Sequence, residues 1–324
     1  MKKIFPKPRI FSSKCLGFEA CRWNGEIISE KFVERLKAYV EFVAACPEKE
    51  IGLGVPRDPI RVVLRDGEFC LMQPSTGRDI TLLMRDFAEQ YLKGLKDIDG
   101  FILKDRSPSC GLKNVKIYSG LENSSSTARG NGFFGRVVME RFPELPVETE
   151  TRLSNFDIRE HFLTSIFTVA RFRQLRQNPK VNGLVQFHSE NKFLLMAYSQ
   201  RELRIMGQIA ANSDNKKAED IYNDYSKHLF GALKNLPHPS SNINVLTHLL
   251  GFFSKNLKKN EKGFFLDALN EYRLGRVPFA APSSILKSYI VRFDKDYLSQ
   301  QTFFEPYPHE LMEITDSGKG RELK

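Results

Sequence analysis

The first half of the chain alternates between short, mostly apolar runs and stretches with helical spacing. Residues 9–13, 42–45 and 100–103 have the pattern of strands buried in a parallel sheet. Helical periodicity covers residues 30–41 and 79–95, and the apolar runs on either side of Asp66-Gly67 predict a hairpin. This alternation predicts an α/β domain with a mostly parallel sheet over residues 1–160.

The second half has a different pattern, in which apolar residues recur every three or four positions. The pattern continues through long segments that are separated by Gly and Pro, namely 187–209, 218–236, 244–257 and 261–274. It predicts an all-α domain over residues 161–324 that follows the α/β domain. No stretch is apolar for the roughly 18 residues that a membrane span needs, so we expect a cytoplasmic protein without a membrane partner.

The charge of the chain is unevenly distributed. The net charge is +10, and residues 161–304 hold 20 Lys and Arg against 11 Asp and Glu. This excess favours a polyanionic partner such as RNA or DNA, although a basic surface without a partner has the same composition. The candidate RNA-binding residues are Arg171, Arg173, Arg176, Lys255, Lys258, Lys259, Arg273 and Arg276.

All the cysteines precede all the histidines in the sequence. Cys15, Cys46 and Cys110 each follow a predicted strand, and the carboxyl ends of parallel strands gather at one edge of a sheet. We therefore expect these three thiols to converge. Without histidine they are suited to an iron–sulfur cluster, to zinc on sulfur ligands, or to no metal, and the spacing leaves these alternatives open. Cys70 lies within a predicted strand, where packing explains it, and the role of Cys21 is open.

Polar residues beside these cysteines are candidates for proton transfer. Glu48 lies two residues after Cys46, where a carboxylate could accept a proton from a water near a metal. Ser107 and Ser109 flank Pro108 just before Cys110. Their hydroxyls are expected either to orient a substrate or water, or to cap the following turn.

Three blocks of residues follow one another in the first half: Ser13-Lys14-Cys15-Leu16-Gly17 with Cys21-Arg22-Trp23-Asn24-Gly25, then Cys46-Pro47-Glu48 with Gly52-Leu53-Gly54-Val55-Pro56-Arg57, then Leu103-Lys104 with Ser107-Pro108-Ser109-Cys110-Gly111. Together they resemble the thiouracil desulfidase family over about residues 8–160. The second half, with Val185-Gln186-Phe187-His188 and Lys192-Phe193-Leu194-Leu195-Met196, resembles the YbgA-like helical domain that is often fused to it.

The resemblance implies a [4Fe–4S] cluster on Cys15, Cys46 and Cys110, whose open iron acts as a Lewis acid. It also implies non-redox removal of sulfur from a thiolated pyrimidine, here 4-thiouridine in tRNA, with release of sulfide. Water activated by a carboxylate would attack the ring, with Glu48, Ser107 and Ser109 as catalytic residues. Lys104 and Asp105 would bind the substrate, and the helical domain would bind the tRNA.

Two alternatives remain at this stage. A desulfidase for free thiouracil would use the same chemistry without RNA. A non-catalytic RNA-binding protein would use its thiols for a structural metal or would leave them unliganded.

Overall fold

The computed structural model describes residues 4–121 and 126–313, which form two compact units. The first contains residues 4–171 together with 308–313, and the second contains residues 172–307. One helix, Phe156–Arg176, runs from the first unit into the second. The domain boundary predicted between residues 160 and 161 lies inside this helix and stays a prediction.

The first unit contains strands and helices in alternation. Its strands are β1 (Arg9–Ser13), β2 (Glu41–Ala45), β3 (Arg61–Arg65), β4 (Glu68–Gln73), β5 (Arg78–Asp79), β6 (Gly100–Leu103), β7 (Val115–Tyr118), β8 (Ser126–Gly130) and β9 (Val147–Thr149). Its helices are α1 (Lys31–Leu36), α2 (Pro47–Glu50), α3 (Thr81–Gly94), α4 (Phe133–Arg141) and α5 (Phe156–Arg176).

Four of these strands form a parallel sheet in the order β2-β1-β6-β9. The apolar runs of β1 and β6 are buried, and Phe11 packs on Phe101 and Phe134 with ring centroids 5.6 and 5.4 Å apart. The predicted α/β domain with a parallel sheet is confirmed. Since β2, β1 and β6 are neighbours, the loops that leave their carboxyl ends lie side by side.

A second sheet has the order β5-β4-β3-β7-β8 and is mostly antiparallel. The predicted hairpin around Asp66-Gly67 is confirmed as β3 and β4. The strands β7 and β8 were not predicted. In β7 only Val115 and Ile117 are buried apolar residues. An alternation of buried and exposed positions over four residues is too short to predict a strand.

The second unit is helical throughout its described residues, which confirms the predicted all-α region. Its helices are α6 (Val181–Glu190), α7 (Lys192–Tyr198), α8 (Gln200–Ala211), α9 (Ala218–Leu233), α10 (Pro239–Gly251), α11 (Lys259–Arg273), α12 (Ala280–Arg292) and α13 (Asp296–Ser299). Phe193, Phe253 and Phe265 are among the large side chains of its core. Within 4–121 and 126–313, no helix is both long and apolar enough to span a membrane.

The continuous helical pattern over residues 187–209 is divided among three helices. Asn191 separates α6 from α7, and its side-chain amide donates to the carbonyl of Phe187 at 2.7 Å. Ser199 separates α7 from α8, with its hydroxyl accepting from the N–H of Glu202 at 3.2 Å. Side chains that bond to nearby backbone groups end helices without interrupting the apolar pattern.

Candidate active site

A cavity of about 390 Å³ lies in the first unit at the carboxyl edge of the parallel sheet. Cavities of this volume are typical of small-molecule sites. Loops that follow β1, β2 and β6 supply most of its lining: Ser13, Lys14, Cys15, Cys21, Arg22, Trp23, Ala45, Cys46, Pro47, Glu48, Arg57, Pro59, Ile60, Lys104, Asp105, Arg106, Ser107, Pro108 and Cys110.

Three of the cysteines reach this cavity from three neighbouring strands. Cys15 follows β1, Cys46 follows β2, and Cys110 lies in the loop after β6. All three are free thiols, and Cys46 and Cys110 are buried. Cys21 is fully buried and also lines the cavity, whereas Cys70 lies within β4 and is not among the lining residues. The structure therefore brings together the three thiols that the strand pattern placed at one edge.

Burial and mutual repulsion set the electrostatics of these thiols. Burial raises the pKa of Cys15 to about 12, and the nearby charge of Cys46 adds to the effect. Burial also raises the pKa of Cys110, against a hydrogen bond with Ser13. The pKa of Cys46 is lowered to about 7 by a hydrogen bond from Cys21 and, to a smaller extent, by Arg57. Three thiolates here would repel one another, so a positive centre between them would stabilise them.

Glu48 is held beside the cavity by contacts on both of its carboxylate oxygens. The hydroxyl of Ser109 donates to Oε1 at 2.9 Å, and Arg57 Nε donates to Oε2 at 2.9 Å. The side chain of Arg57 is 4 % exposed and the side chain of Glu48 is 13 % exposed, so the ion pair is largely shielded from solvent. Ser109 is itself buried and is not a lining residue, so it contacts Glu48 from behind the cavity wall.

Arg57 also connects Glu48 to the cysteines. Its Nη1 and Nη2 each donate to the carbonyl of Cys21 at 3.1 Å, and Nη2 lies 3.9 Å from Cys46 Sγ. In the sequence, Arg57 stands out only as part of the second block of the resemblance. No local pattern indicates these contacts, because they depend on the fold around residues 21, 46 and 48.

Ser107 stabilises the loop that carries Cys110. Its hydroxyl accepts from the N–H of Ser109 at 3.2 Å and from the N–H of Cys110 at 3.1 Å. The first turn of α4 packs on the same loop, where the N–H of Gly135 donates to the carbonyl of Ser109 at 3.0 Å. Ser107 therefore caps the turn and lines the cavity, while Ser109 orients Glu48.

Lys104 and Asp105 line the cavity, and both contact Glu150. Lys104 Nζ forms an ion pair with Glu150, and the N–H of Asp105 donates to Glu150 Oε2 at 2.7 Å. The hydroxyl of Thr151 donates to Asp105 Oδ2 at 2.8 Å. Glu150 and Thr151 follow β9, some 45 residues further along the chain, and sequence analysis missed both because nothing local links them to the cysteine loops.

Trp23 is the only tryptophan of the chain and lines the cavity with 47 % of its side chain exposed. Arg22 and Arg106 line the cavity as well. An exposed aromatic ring beside cations suits a flat, electron-rich or anionic ligand such as a nucleobase or nucleotide. Trp23 has no predicted role from the sequence alone.

None of the candidate RNA-binding residues is among the residues that line the cavity. Arg176, Lys255, Lys258, Lys259, Arg273 and Arg276 are exposed, and Arg171 and Arg173 are partly buried. Two of the exposed cations have partners, because Arg176 donates to Asn223 at 2.9 Å and Arg276 pairs with Glu271 at 3.0 Å. RNA contact by this set stays a prediction.

The chemistry of the thiols fits an iron–sulfur cluster. Cys15, Cys46 and Cys110 are sulfur donors on three separate loops around one cavity, and no histidine lines it. Across residues 4–121 and 126–313, no three Cys, His, Asp or Glu side chains are grouped as the ligands of one metal ion. A cluster places each cysteine on a different iron and therefore needs a wider spacing than one ion does.

Two protein-family models match the chain, one within the α/β unit and one almost entirely within the helical unit. Residues 10–150 match the model of the 2-thiouracil desulfurase family. Residues 192–308 match the model of a protein family of unknown function, DUF1722.

Two curated proteins and one solved structure are similar to parts of the chain. The protein YbgA of Escherichia coli (strain K12), described as uncharacterized, is 29% identical over 161 residues, which are 49% of this chain and 94% of YbgA. The protein YbbK of Bacillus subtilis (strain 168), also described as uncharacterized, is 35% identical over 118 residues, which are 34% of this chain and 77% of YbbK. A solved [4Fe-4S]-dependent thiouracil desulfidase, TudS, is 31% identical and aligns over 45% of this chain and 93% of its own, with a TM-score of 0.36.

Proposed function

The chain belongs to the 2-thiouracil desulfurase family, and from that premise we propose that it removes sulfur from a thiolated pyrimidine. The reaction converts a ring C=S and water into C=O and hydrogen sulfide, so it consumes no electrons. The observation that carries the proposal is the meeting of Cys15, Cys46 and Cys110 around one cavity, with Glu48 held beside them.

In this proposal the three cysteines hold a [4Fe–4S] cluster. The cluster, when bound, supplies an iron without a protein ligand that acts as a Lewis acid towards the thiocarbonyl sulfur. No part of the proposal requires a change of oxidation state.

The protein's own residues supply the proton transfer. Glu48 accepts a proton from the water whose oxygen attacks the ring carbon, and that proton then becomes available to the departing sulfide. Ser109 contacts Oε1 of Glu48, and Nε and Nη2 of Arg57 both contact Oε2, which leaves a lone pair of Oε1 to accept the proton. Ser107 fixes the loop of Cys110, while Lys104 and Asp105, which line the cavity, bind the ring.

We propose 4-thiouridine in tRNA as the substrate rather than free thiouracil. Support comes from the basic composition of residues 161–304 and from the exposure of six of the eight candidate cations. Half-exposed Trp23 offers a stacking surface for a base that has been turned out of its stack to enter the cavity.

The test is to measure sulfide released by the anaerobically reconstituted full-length protein. Parallel reactions contain tRNA bearing 4-thiouridine, the same tRNA without sulfur, and free 2-thiouracil. We expect sulfide and uridine in equal amounts from the thiolated tRNA and none from the unthiolated control. Faster release from free 2-thiouracil would favour the detoxifying alternative, and no sulfide from either substrate would contradict the proposed activity.

A further inference from the structure

Cys21 is a buried thiol of the cavity that the proposed reaction does not use. It is fully buried, yet it lines the same cavity as Cys46. Its thiol donates a hydrogen bond to the sulfur of Cys46, and Cys46 Sγ lies 3.7 Å from the carbonyl oxygen of Cys21. Two nucleophilic side chains are therefore in contact although they are 25 residues apart in the sequence.

The backbone of Cys21 is held in this position by two neighbours. Its N–H donates to the carbonyl of Glu19 at 2.9 Å, and its carbonyl accepts from both Nη1 and Nη2 of Arg57 at 3.1 Å. Arg57 Nη2 also lies 3.9 Å from Cys46 Sγ. A neighbouring cation favours the thiolate form of a cysteine, which is the nucleophilic form. Cys46 is therefore in reactive surroundings, and Cys21 is fixed beside it.

The remaining cysteines are less suited to form a bond with Cys46. Charge effects connect Cys15 and Cys110 to Cys46, whereas Cys21 contacts it by a hydrogen bond. Cys70 lies within β4, outside the cavity lining. A disulfide requires two cysteines whose side chains already approach each other, and Cys21 and Cys46 meet this condition.

We propose that Cys21 is the resolving cysteine of a peroxide-sensitive switch, and that it forms a disulfide with Cys46 when the cavity cysteines carry no cluster. Peroxide oxidises the Cys46 thiol to a sulfenic acid, and one water is released. The sulfur of Cys21 then attacks the sulfenic sulfur, and the hydroxyl group leaves with the proton of Cys21 as a second water. The two thiols lose two electrons in total, which the O–O bond of the peroxide takes up as it breaks.

The disulfide makes the oxidation of Cys46 reversible. A thiol reductant restores both cysteines, whereas oxidation of the sulfenic acid to a sulfinic acid is not reversed by such a reductant. Metal binding needs a thiolate, so Cys46 in a disulfide cannot hold iron. Under the proposed function, the switch therefore keeps the site from taking up a cluster until a reductant acts.

The test treats the full-length protein, prepared without a cluster, with hydrogen peroxide. The thiols that stay free are alkylated, and peptide mass mapping then identifies the oxidised cysteines. We expect two of the five thiols to be lost to one disulfide between Cys21 and Cys46, which dithiothreitol reduces. A disulfide of Cys46 with Cys15 or Cys110, a sulfinic acid at Cys46, or five free thiols would each overturn the proposal.

The variant Cys21→Ser removes the resolving sulfur with little change in side-chain size. Its Cys46 should be oxidised to the sulfinic acid, so that after reduction and anaerobic reconstitution it binds at least about fivefold less iron than its own untreated sample. The wild type and the matched control Cys70→Ser should regain the iron of their untreated samples. Equal recovery of iron by all three proteins would contradict the protective role. If Cys21→Ser does not fold, the peptide map of the wild type decides.

The outcomes separate this switch from the proposed function, because the disulfide forms without turnover. A disulfide between Cys21 and Cys46, in a protein that releases no sulfide from thiolated substrates after reduction and reconstitution, would support the switch and overturn the activity. Sulfide release by a protein that forms no such disulfide in its cluster-free form would overturn the switch alone.

Discussion

At the scale of single residues, the candidate site depends on contacts between side chains that are distant in sequence. Ser109 lies 61 residues from Glu48, and Glu150 lies 45 residues from Asp105. Glu48 and Ser109 were predictable from their nearness to Cys46 and Cys110 in the sequence. Glu150, Thr151 and the contacts of Arg57 were not, because only the folded chain brings these residues to their partners.

The hydrogen bond from Ser109 to Glu48 makes a testable contribution to activity. We expect Glu48→Gln to lower kcat about a hundredfold to ten-thousandfold, since the amide cannot accept the proton of water. Ser109→Ala should lower kcat less and leave KM nearly unchanged, because it frees the carboxylate to reorient. In the Glu48→Gln background, Ser109→Ala should have little further effect, which kinetic measurement of the double variant checks.

The matched control for this prediction is Ser75→Ala. The hydroxyl of Ser75 also donates to a carboxylate, Asp58, at 2.9 Å, but on the exposed surface. This variant should retain the kcat of the wild type. Equal losses in Ser109→Ala and Ser75→Ala would contradict a specific role for the contact with Glu48.

Burial of His161 predicts a dependence of stability on pH. Burial lowers its pKa from 6.5 to about 4 in the folded protein, so between these values the unfolded chain binds a proton that the folded protein does not. The free energy of unfolding should therefore fall as pH decreases from about 6.5 to about 4, by roughly 3 kcal/mol from this residue. Urea unfolding at several pH values measures the effect. His161→Gln should flatten the curve of unfolding free energy against pH in this range. The control His248→Gln, at an exposed position, should leave the curve unchanged. Identical curves for the two variants would exclude His161 as the source of the pH dependence.

At the scale of elements, strands and helices position the cysteines without contributing chemistry of their own. The strands β1, β2 and β6 were predicted from short apolar runs, and a shared parallel sheet was predicted from the α/β pattern, but their order in that sheet was not. The support of the Cys110 loop by α4 was not predictable. A glycine in a helical pattern does not indicate which backbone segment packs against it.

The close packing of α4 on the Cys110 loop gives a prediction for Gly135. A Cβ at this position would lie 2.7 Å from the carbonyl oxygens of Cys110 and Gly111, so Gly135→Ala should displace the loop. We expect a loss of about 1–3 kcal/mol in the free energy of unfolding and a lower iron content after reconstitution.

Gly263→Ala is the matched control, since it also adds a methyl group within a helix. A Cβ at Gly263 meets no described atom within 4 Å, and alanine should stabilise the helix by up to about 1 kcal/mol. Denaturant unfolding and iron analysis compare the two variants. If Gly135→Ala binds as much iron as Gly263→Ala, the packing of α4 does not position Cys110.

At the scale of the whole molecule, the chain combines an α/β unit that carries the cavity with a helical unit that carries most of the excess positive charge. The fold class of both units was predictable because apolar periodicity differs between buried parallel strands and helices. The second sheet was not predictable from the sequence, apart from the hairpin of β3 and β4, because β7 and β8 are short. Within residues 187–209, Ser199 and Glu202 are spaced as in a capping box, which indicates the start of a new helix at this point.

The basic helical unit predicts that tRNA activity depends on salt. Replacing Lys255, Lys258 and Lys259 by Gln should weaken tRNA binding and reduce the slope of log affinity against log salt by about 2–3. Sulfide release from free 2-thiouracil should stay unchanged, because these residues are not among those that line the cavity. Filter-binding assays at several salt concentrations measure the slope.

The control replaces Lys216, Lys217 and Lys227, which are exposed lysines of the same unit outside the candidate set. It makes the same change in net charge. We expect a smaller loss of affinity from this control, and equal losses in the two triple variants would argue for a general charge effect without a defined RNA surface.

The most direct test of the account is the iron and sulfide content of the anaerobically reconstituted protein and its cysteine variants. We predict one [4Fe–4S] cluster per chain in the wild type, and loss of its iron, sulfide and visible absorbance in Cys15→Ser, Cys46→Ser and Cys110→Ser. Cys70→Ser, within β4, should retain the cluster. Full iron and sulfide in all three cavity variants would contradict the account.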